Sequence, residues 1–377
     1  MLRIPFNKPW RLMFHACFLP NHTVSMIFAE LALLEPVRRL TVKMISEQLA
    51  AVTLGEPVVF RNLSMTPLLE TAGIQPDYLT LDEALAMGAA KVTEVSGAGS
   101  VPDLRFENQG DLAVLLVDGE ELVGAKQNRI LNLSVLAPAR TAITIPVSCV
   151  EAGRWSHVSP EFRSEERTYY AAGRARKAAQ VTESLRESGS RRSRQGEVWN
   201  DIAMKAERLG SLSPTSAMAS MYVDHGATLD QFVTGIPTAA GQAGAVFAIN
   251  GQVRGLELFD FAETFRKLAP KLVRSYALDA IDEENSAAPA MASAVADLLQ
   301  DCQRADTAVF PSPGEGEDVR LTGHGLAGGA LVARERVIHL CAFRVAESDR
   351  QWRGDATGRL ARASQRRRHF GGRQSDG

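Results

Sequence analysis

The stretch from Val117 to Trp155, VDGEELVGAKQNRILNLSVLAPARTAITIPVSCVEAGRW, constrains the fold most. It gathers a tight-turn signal, two or three strand-like runs and most of the chain's unusual polar residues. The apolar run Leu112 to Val117 leads into Asp118-Gly119, and a second strand-like run follows. An Asp-Gly pair between such runs is the strongest short-range hairpin signal, because a type I′ turn needs positive φ at both central residues. Side chains alternate along a strand. From Val123, one face carries Gly124, Lys126, Asn128, Ile130, Asn132 and Ser134. The other carries Val123, Ala125, Gln127, Arg129, Leu131, Leu133 and Val135, and it turns purely apolar at Leu131, which marks it as the core side. Lys126, Asn128 and Asn132 then form a polar row. A bulge at Gly124 would exchange the faces upstream, so Gln127 and Arg129 remain candidates.

The next run, Ile143 to Glu151, behaves alike. Ile143, Ile145, Val147 and Cys149 share a face, and Glu151 continues it. A carboxylate ending an apolar row is costly unless paired. Arg154 is the expected partner, with Trp155 as a wall against water. Pro146 lacks a donor, which predicts an edge strand or a bulge.

Around this centre the chain reads as hairpin-linked strands with helices in a block. Glu56 to Leu63, Lys91 to Val95 (carrying Glu94) and Val101 to Asn108 read as strands, and Thr80 to Glu83 is a capping box. Residues 161–224 are helical in pattern, with helices over Glu165 to Glu187 and Glu197 to Leu209 and a further start at Ser213-Pro214. Ala245 to Gly251 repeats the pattern of Ala113 to Gly119, and Gly329 to Phe343 is a weaker third copy. A duplicated module and three hairpins in one sheet system both fit, and the second is the simpler. Helices follow over Asp260 to Leu268, Lys271 to Ala280 and Ala288 to Cys302. The class is therefore α+β, a mostly antiparallel sheet system with a helical block inserted between the first and second hairpin modules.

Three segments are expected: an N-terminal extension over 1–50, one domain over 51–345, and a disordered Arg-rich tail over 346–377. In the extension, Leu12 to Leu34 resembles a leader but is broken by Pro20, Asn21, His22 and Glu30, and no apolar run reaches the ~20 residues a span needs. Met44 is the expected native start, which N-terminal sequencing of the native protein would test. A net charge of −2 gives no general argument for nucleic acid or a membrane surface, leaving only weak phosphate contacts through the tail. Four scattered cysteines (Cys17, Cys149, Cys302, Cys341) fit reduced thiols in a cytoplasmic protein, without a disulfide framework or a zinc site. P-loop, strand-linked GxGxxG, GxSxG and HExxH patterns are absent, so no cofactor or metal is expected. His157 is the one histidine near Trp155 in sequence, and it reads as a surface residue before a base.

GAKQNRILN at 124–132, IPVSCVEAGRW at 145–155, SPTSA at 213–217 and GQAGAVFAINGQVRGLELFD at 241–260 resemble a prokaryotic family, the ARG and Rhodanese-Phosphatase-superfamily-associated protein domain. TLDEAL at 80–85 and VPDLRFEN at 101–108 fit as well. The resemblance runs from about Gly55 to Ala280 and toward Phe343. It implies the company of ADP-ribosylglycohydrolases and rhodanese-type phosphatases, hence nucleotide or ADP-ribose chemistry in bacterial conflict or stress systems, and no settled catalytic role.

The candidate site is then Lys126, Asn128, Arg129, Asn132, Glu151, Arg154 and Trp155, with Glu94 and Glu121 as outlying carboxylates. Lys and Arg suit a phosphate, Trp155 a base, and Asn side chains sugar hydroxyls. Glu151 and Lys126 are the catalytic candidates, Glu151 as a general base with a raised pKa. Two functions fit: binding or hydrolysis of a phosphorylated nucleoside such as ADP-ribose, or a non-catalytic scaffold for ADP-ribosylglycohydrolase- or phosphatase-type partners.

Overall fold

The computed structural model describes residues 38–69, 75–96, 102–156, 158–283 and 287–345. The expectations for the leader-like segment, Cys17, His157 and the Arg-rich tail lie outside the described residues.

Strands that read as continuous apolar runs need cover on both faces, and this chain supplies it. A nine-stranded antiparallel sheet forms from β1 (Thr53–Leu54), β2 (Val58–Phe60), β3 (Leu63–Leu69), β13 (Gln242–Ile249), β14 (Gln252–Phe259), β15 (Asp306–Pro311), β16 (Glu317–Gly323), β17 (Leu326–Ala333) and β18 (Arg336–Arg344). Its order is β1-β3-β13-β14-β18-β17-β16-β15, with β2 also on β3. In β13, Ala245, Phe247 and Ile249 join one core cluster while Val246 and Ala248 join another. The first cluster takes in α3 (Ala171–Ser188), α6 (Gly226–Gly235) and α7 (Ala262–Ile281). The second takes in α8 (Ala292–Arg304) and Ile45 and Leu49 from α1 (38–51). That helix crosses the expected boundary at residue 50, so part of the extension packs with the domain.

A closed six-stranded barrel holds a third core. It runs β11-β6-β5-β12-β8-β9, from β5 (Ala90–Glu94), β6 (Asp103–Asn108), β8 (Glu120–Gly124), β9 (Arg129–Leu131), β11 (Thr141–Cys149) and β12 (Phe162–Thr168). Val92, Leu104, Phe106, Leu122, Leu131, Ile145, Val147 and Phe162 pack in that core. A small sheet, β10 (Val135–Ala137), β7 (Ala113–Leu116) and β4 (Tyr78–Thr80), joins the barrel core; its β4–β7 pair is parallel. The class is α+β.

The expected Asp118-Gly119 hairpin does not form. Glu120 N donates to Val117 O at 3.1 Å, closing a turn in which Gly119 has φ +83° and Asp118 is not left-handed. One positive φ, at the third position, is the pattern of a type II turn, which does not match the twist of paired strands. The chain therefore passes from β7 in the small sheet to β8 in the barrel. At Asn250-Gly251 both residues are left-handed (φ 52° and 75°) and β13 pairs with β14 through Ile249 and Gln252. Arg334-Glu335 does the same without glycine (φ 52° and 58°), joining β17 to β18. Two of the three similar segments are hairpins, and they lie side by side in one sheet through β14 and β18.

Other departures have local causes. Phe162–Thr168 closes the barrel against β5 and β8, so the helix expected from Glu165 begins at Ala171. Ser213 Oγ accepts from Thr215 N (3.3 Å) and Ala217 N (2.9 Å) within a turn, and α5 (Ala219–Asp224) starts later. The two helices expected over 260–280 are one, α7, with Pro270 inside it and buried Leu268, Ala269, Leu272 and Val273 on either side. Glu56 to Leu63 is split by a turn at Arg61-Asn62. Pro146 makes neither an edge nor a bulge: it sits where β11 passes from pairing with β6 to pairing with β9. Thr80 and Glu83 cap α2 (Leu81–Ala86) as a capping box.

Candidate functional site

One end of the barrel collects the groups that carry charge. Glu94 is the last residue of β5, Arg129 the first of β9 and Cys149 the last of β11. Arg129 pairs across to Cys149 on one side and Leu122 on the other, and Glu94 stands opposite Leu104. The chain turns sharply just beyond. Gly124 has φ +139°, and a Cβ there would stand 2.6 Å from Glu161 O and from Ser159 Oγ, so only glycine lets β8 pass under that stretch.

Arg129 is wholly buried (0% exposed). Its Nη1 donates to Gln127 O (3.0 Å) and Oε1 (3.2 Å) and lies 3.3 Å from Cys149 Sγ. Among the described residues its Nε and Nη2 find no acceptor, and neither carboxylate oxygen of Glu94 finds a donor. No hydrogen bond or ion pair joins the two side chains, yet Glu94 lies near enough for its charge to act on the guanidinium. Burial pulls the Arg129 pKa below its ordinary value, against the opposing charges of Cys149 and Glu94. Burial pushes the Cys149 thiol up, with Arg129 opposing. Buried polar groups left unmatched cost about 1–3 kcal/mol each, and more when charged. Trp155, half exposed, covers this end: its ring centroid is 5.9 Å from the Arg129 guanidinium carbon and 5.3 Å from Lys126 Nζ.

A few ångströms away, the other expected residues form a saturated network. Arg154 Nη2 meets Glu151 Oε2 at 2.5 Å and Asn128 Oδ1 at 3.0 Å, and its Nη1 donates to Ala125 O at 2.7 Å. Glu151 also accepts from Asn128 N (3.1 Å) and Thr215 Oγ1 (2.7 Å). Burial works to raise the Glu151 carboxyl, but Arg154, Thr215 and the Asn128 amide outweigh it and hold the group below its ordinary range. The expected ion pair is present. The expected raised pKa is not, and both oxygens are engaged, which removes the basis for a general base. Glu121, fully buried, takes Arg167 Nε at 2.6 Å and Asn128 Nδ2 at 3.4 Å, and burial raises its pKa.

Asn132 falls away from this group. Its amide donates to Arg191 O (2.8 Å), and Ser148 Oγ donates to its Oδ1 (2.6 Å). The polar row breaks because the loop at 125–128 separates β8 from β9. Gln195, unmarked in the sequence, brackets Cys149 from the start of α4 (Gln195–Arg208): it accepts from Cys149 N (2.8 Å) and donates to Cys149 O (2.7 Å).

A second buried charge cluster was missed in the sequence. Arg174, on α3 and 0% exposed, donates through Nε to Asp118 (3.1 Å), and through Nη1 and Nη2 to Glu257 (2.5 and 3.2 Å). Lys177 Nζ completes Asp118 (2.7 Å) and also donates to Leu131 O (2.6 Å). His339 Nε2 lies 3.1 Å from Glu257, and its Nδ1 lies 2.7 Å from Ser134 Oγ. The legible signal was a charged residue inside each of two apolar strands, Glu257 in GLELF and His339 in VIHLC. Glu257, His339 and Cys341 are close enough to bind a metal ion together. Yet Arg174 already takes both oxygens of Glu257, so that carboxylate is answered within the chain.

A cavity of about 480 Å³ lies elsewhere, between the start of α3, α4, α7 and the β13–β14 hairpin. Its charges are paired: Lys205 with Asp279 (2.8 Å) and Asp282 (3.0 Å), Arg208 with Asp282 (2.6 Å) and Arg254 with Glu283 (2.7 Å) within the lining, and Arg176 with Asp201 (2.5 Å) and Arg344 with Asp301 (2.7 Å) beside it. It reads as an ion-paired seam. No helix among the described residues is long and apolar enough to cross a membrane.

Comparison with curated proteins and with solved structures finds no match. One family model does match, over residues 51–343, which is most of the chain and reaches from the first strands of the large sheet to its central strand β18. The chain belongs to the family described as the ARG and Rhodanese-Phosphatase-superfamily-associated Protein domain.

Proposed function

We propose that the barrel end binds a small phosphorylated ligand of the nucleotide or ADP-ribose type. The observation that carries this is Arg129: a wholly buried guanidinium whose Nε and Nη2, the side-on fork that grips an oxyanion with two parallel bonds, have no acceptor among the described residues. The Trp155 ring lies against both that guanidinium and the Lys126 ammonium, so a phosphate at the fork would meet an aromatic face with a second cation on the same ring. Asn128, Glu121, Glu151 and Arg154 frame the site and hold the 124–128 loop. The role is binding; with Glu151 engaged, no hydrolytic step is assigned to it.

The test is titration of the full chain with ADP-ribose, nucleotides and inorganic phosphate, followed by Trp155 emission and thermal shift, with Trp155→Phe identifying the signal. Ligand at about a hundred times its dissociation constant should add about 2.7 kcal/mol of stability. Binding that persists unchanged in Arg129→Met would sink the proposal.

The second reading is a non-catalytic scaffold for partner enzymes. The saturation of Glu151, Arg154 and Asn128 favours it, since such networks also serve to rigidify. Under that reading no phosphate compound shifts the protein, and the same substitutions lower stability alone.

A further inference from the structure

The unmatched carboxylate of Glu94 speaks to the other half of the ligand. Resting on the reading of Arg129 as an oxyanion fork, we infer that the ligand of this site is a sugar phosphate, whose hydroxyls donate to Glu94 while its phosphate takes Arg129. An ionised carboxylate accepts hydrogen bonds and donates none. Both Glu94 oxygens are buried without a donor among the described residues, so the side chain presents a full set of acceptor positions. Two oxygens side by side match two neighbouring hydroxyls, as an Arg fork matches two phosphate oxygens.

Among the described residues nothing satisfies Glu94 directly. Glu94 ends β5 and Arg129 begins β9 at this end of the barrel, near enough for their charges to act on each other but with no hydrogen bond between them. A ligand that bridged them would match both at once and remove two desolvation costs in a single event. Phosphate alone answers the fork and repels the carboxylate. An amine would answer the carboxylate, but its ammonium would sit close to the Arg129 charge. Neutral hydroxyls avoid both conflicts. The Trp155 ring, half exposed at the mouth, leaves an aromatic face for whatever the sugar carries outward.

The experiment compares inorganic phosphate, ribose 5-phosphate, its dideoxy analogue and phosphoethanolamine by calorimetry on the full chain. Ribose 5-phosphate should bind about tenfold or more tighter than phosphate, as hydrogen bonds to a charged group allow. The dideoxy analogue and phosphoethanolamine should bind no better than phosphate. Glu94→Gln, which keeps shape and removes charge, should abolish the preference for the sugar phosphate without weakening phosphate itself. A sugar-phosphate preference that survives Glu94→Gln, a dideoxy analogue that binds as well as the parent, or phosphoethanolamine binding tightest would each overturn the inference while leaving the oxyanion fork standing. If neither phosphate nor ribose 5-phosphate binds, the fork reading falls and takes this one with it. The analogue series needs no substitution, so the inference stays testable even if Glu94→Gln fails to fold.

Discussion

Arg174 and Arg129 are both 0% exposed, and they are used in opposite ways. Arg174 spends all three of its nitrogens on Asp118 and Glu257, with Lys177 and His339 completing the two carboxylates. Among the described residues Arg129 engages one nitrogen and leaves two without partners, near a carboxylate that has none. A buried charge is tolerated when its counter-charge and hydrogen bonds come with it. The first cluster meets that condition within the chain, and the second does not. On the proposed reading, the difference separates a group that holds the fold together from one that is held by the fold for a ligand.

Arg174→Met is the strongest test of that contrast. It strands Glu257 and Asp118 in the core and should cost about 3–5 kcal/mol, read from the urea midpoint at unchanged slope. A loss under about 1 kcal/mol would mean the cluster is not the structural one. The paired change Glu94→Gln with Arg129→Met should go the other way, leaving stability unchanged or raising it by about 1–4 kcal/mol, while abolishing phosphate-dependent Trp155 emission. A large loss there would erase the comparison.

Asp260 is an intermediate case, buried but partnered by Tyr78 Oη (2.5 Å) and Arg336 Nε (3.2 Å). Burial dominates those donors and raises its pKa from 3.8 to about 7. A raised folded pKa contributes stability that is full below the unfolded value and is lost as pH rises toward 7. Asp118 and Glu257 are held below their ordinary values because Arg174, Lys177 and His339 outweigh burial. Their contribution is present above about pH 4–5 and is lost as pH falls. Asp260→Asn should remove the upper slope, on the order of 3 kcal/mol between pH 4 and 7, and leave the acid limb intact. Melts across pH decide it, and an unchanged upper slope would count against the assignment.

The smallest effect concerns the turns. Gly251→Ala should cost about 1 kcal/mol for its left-handed conformation alone. Gly119→Ala should cost more, because its Cβ would stand 2.8 Å from Arg174 Cδ and disturb the closed cluster too. Equal losses in chemical denaturation would uncouple the turn from that cluster.

Periodicity and local chemistry made much of this legible. The capping box at Thr80, the strand faces of Ile143 to Cys149 and the Asn250-Gly251 hairpin follow from residues within a few positions of one another. Asp118-Gly119 did not, because its outcome depends on Arg174 and Lys177 more than fifty residues away. Those cations claim the Asp118 carboxylate, and the turn leads out of one sheet into another. The site was legible as a segment: Arg129, Lys126, Trp155 and Glu94 were candidates. Which of them would be left unmatched was not, since that depends on Gln127, Thr215 and Arg167 taking up the rest. Glu151 stood out for its place at the end of an apolar row, and that same burial is what recruited its three donors.

The β7–β8 crossover has a consequence for how the molecule comes apart. Arg174 ties the crossover at Asp118, helix α3 and strand β14 through a single side chain, so barrel and large sheet share a joint that neither owns. A fragment carrying the barrel alone would keep Asp118 and lose every cation that answers it. Dissection of this chain into modules should therefore yield pieces that do not stand by themselves, and the intact domain should melt in one cooperative step, with the barrel and the sheet reporting the same transition by any probe.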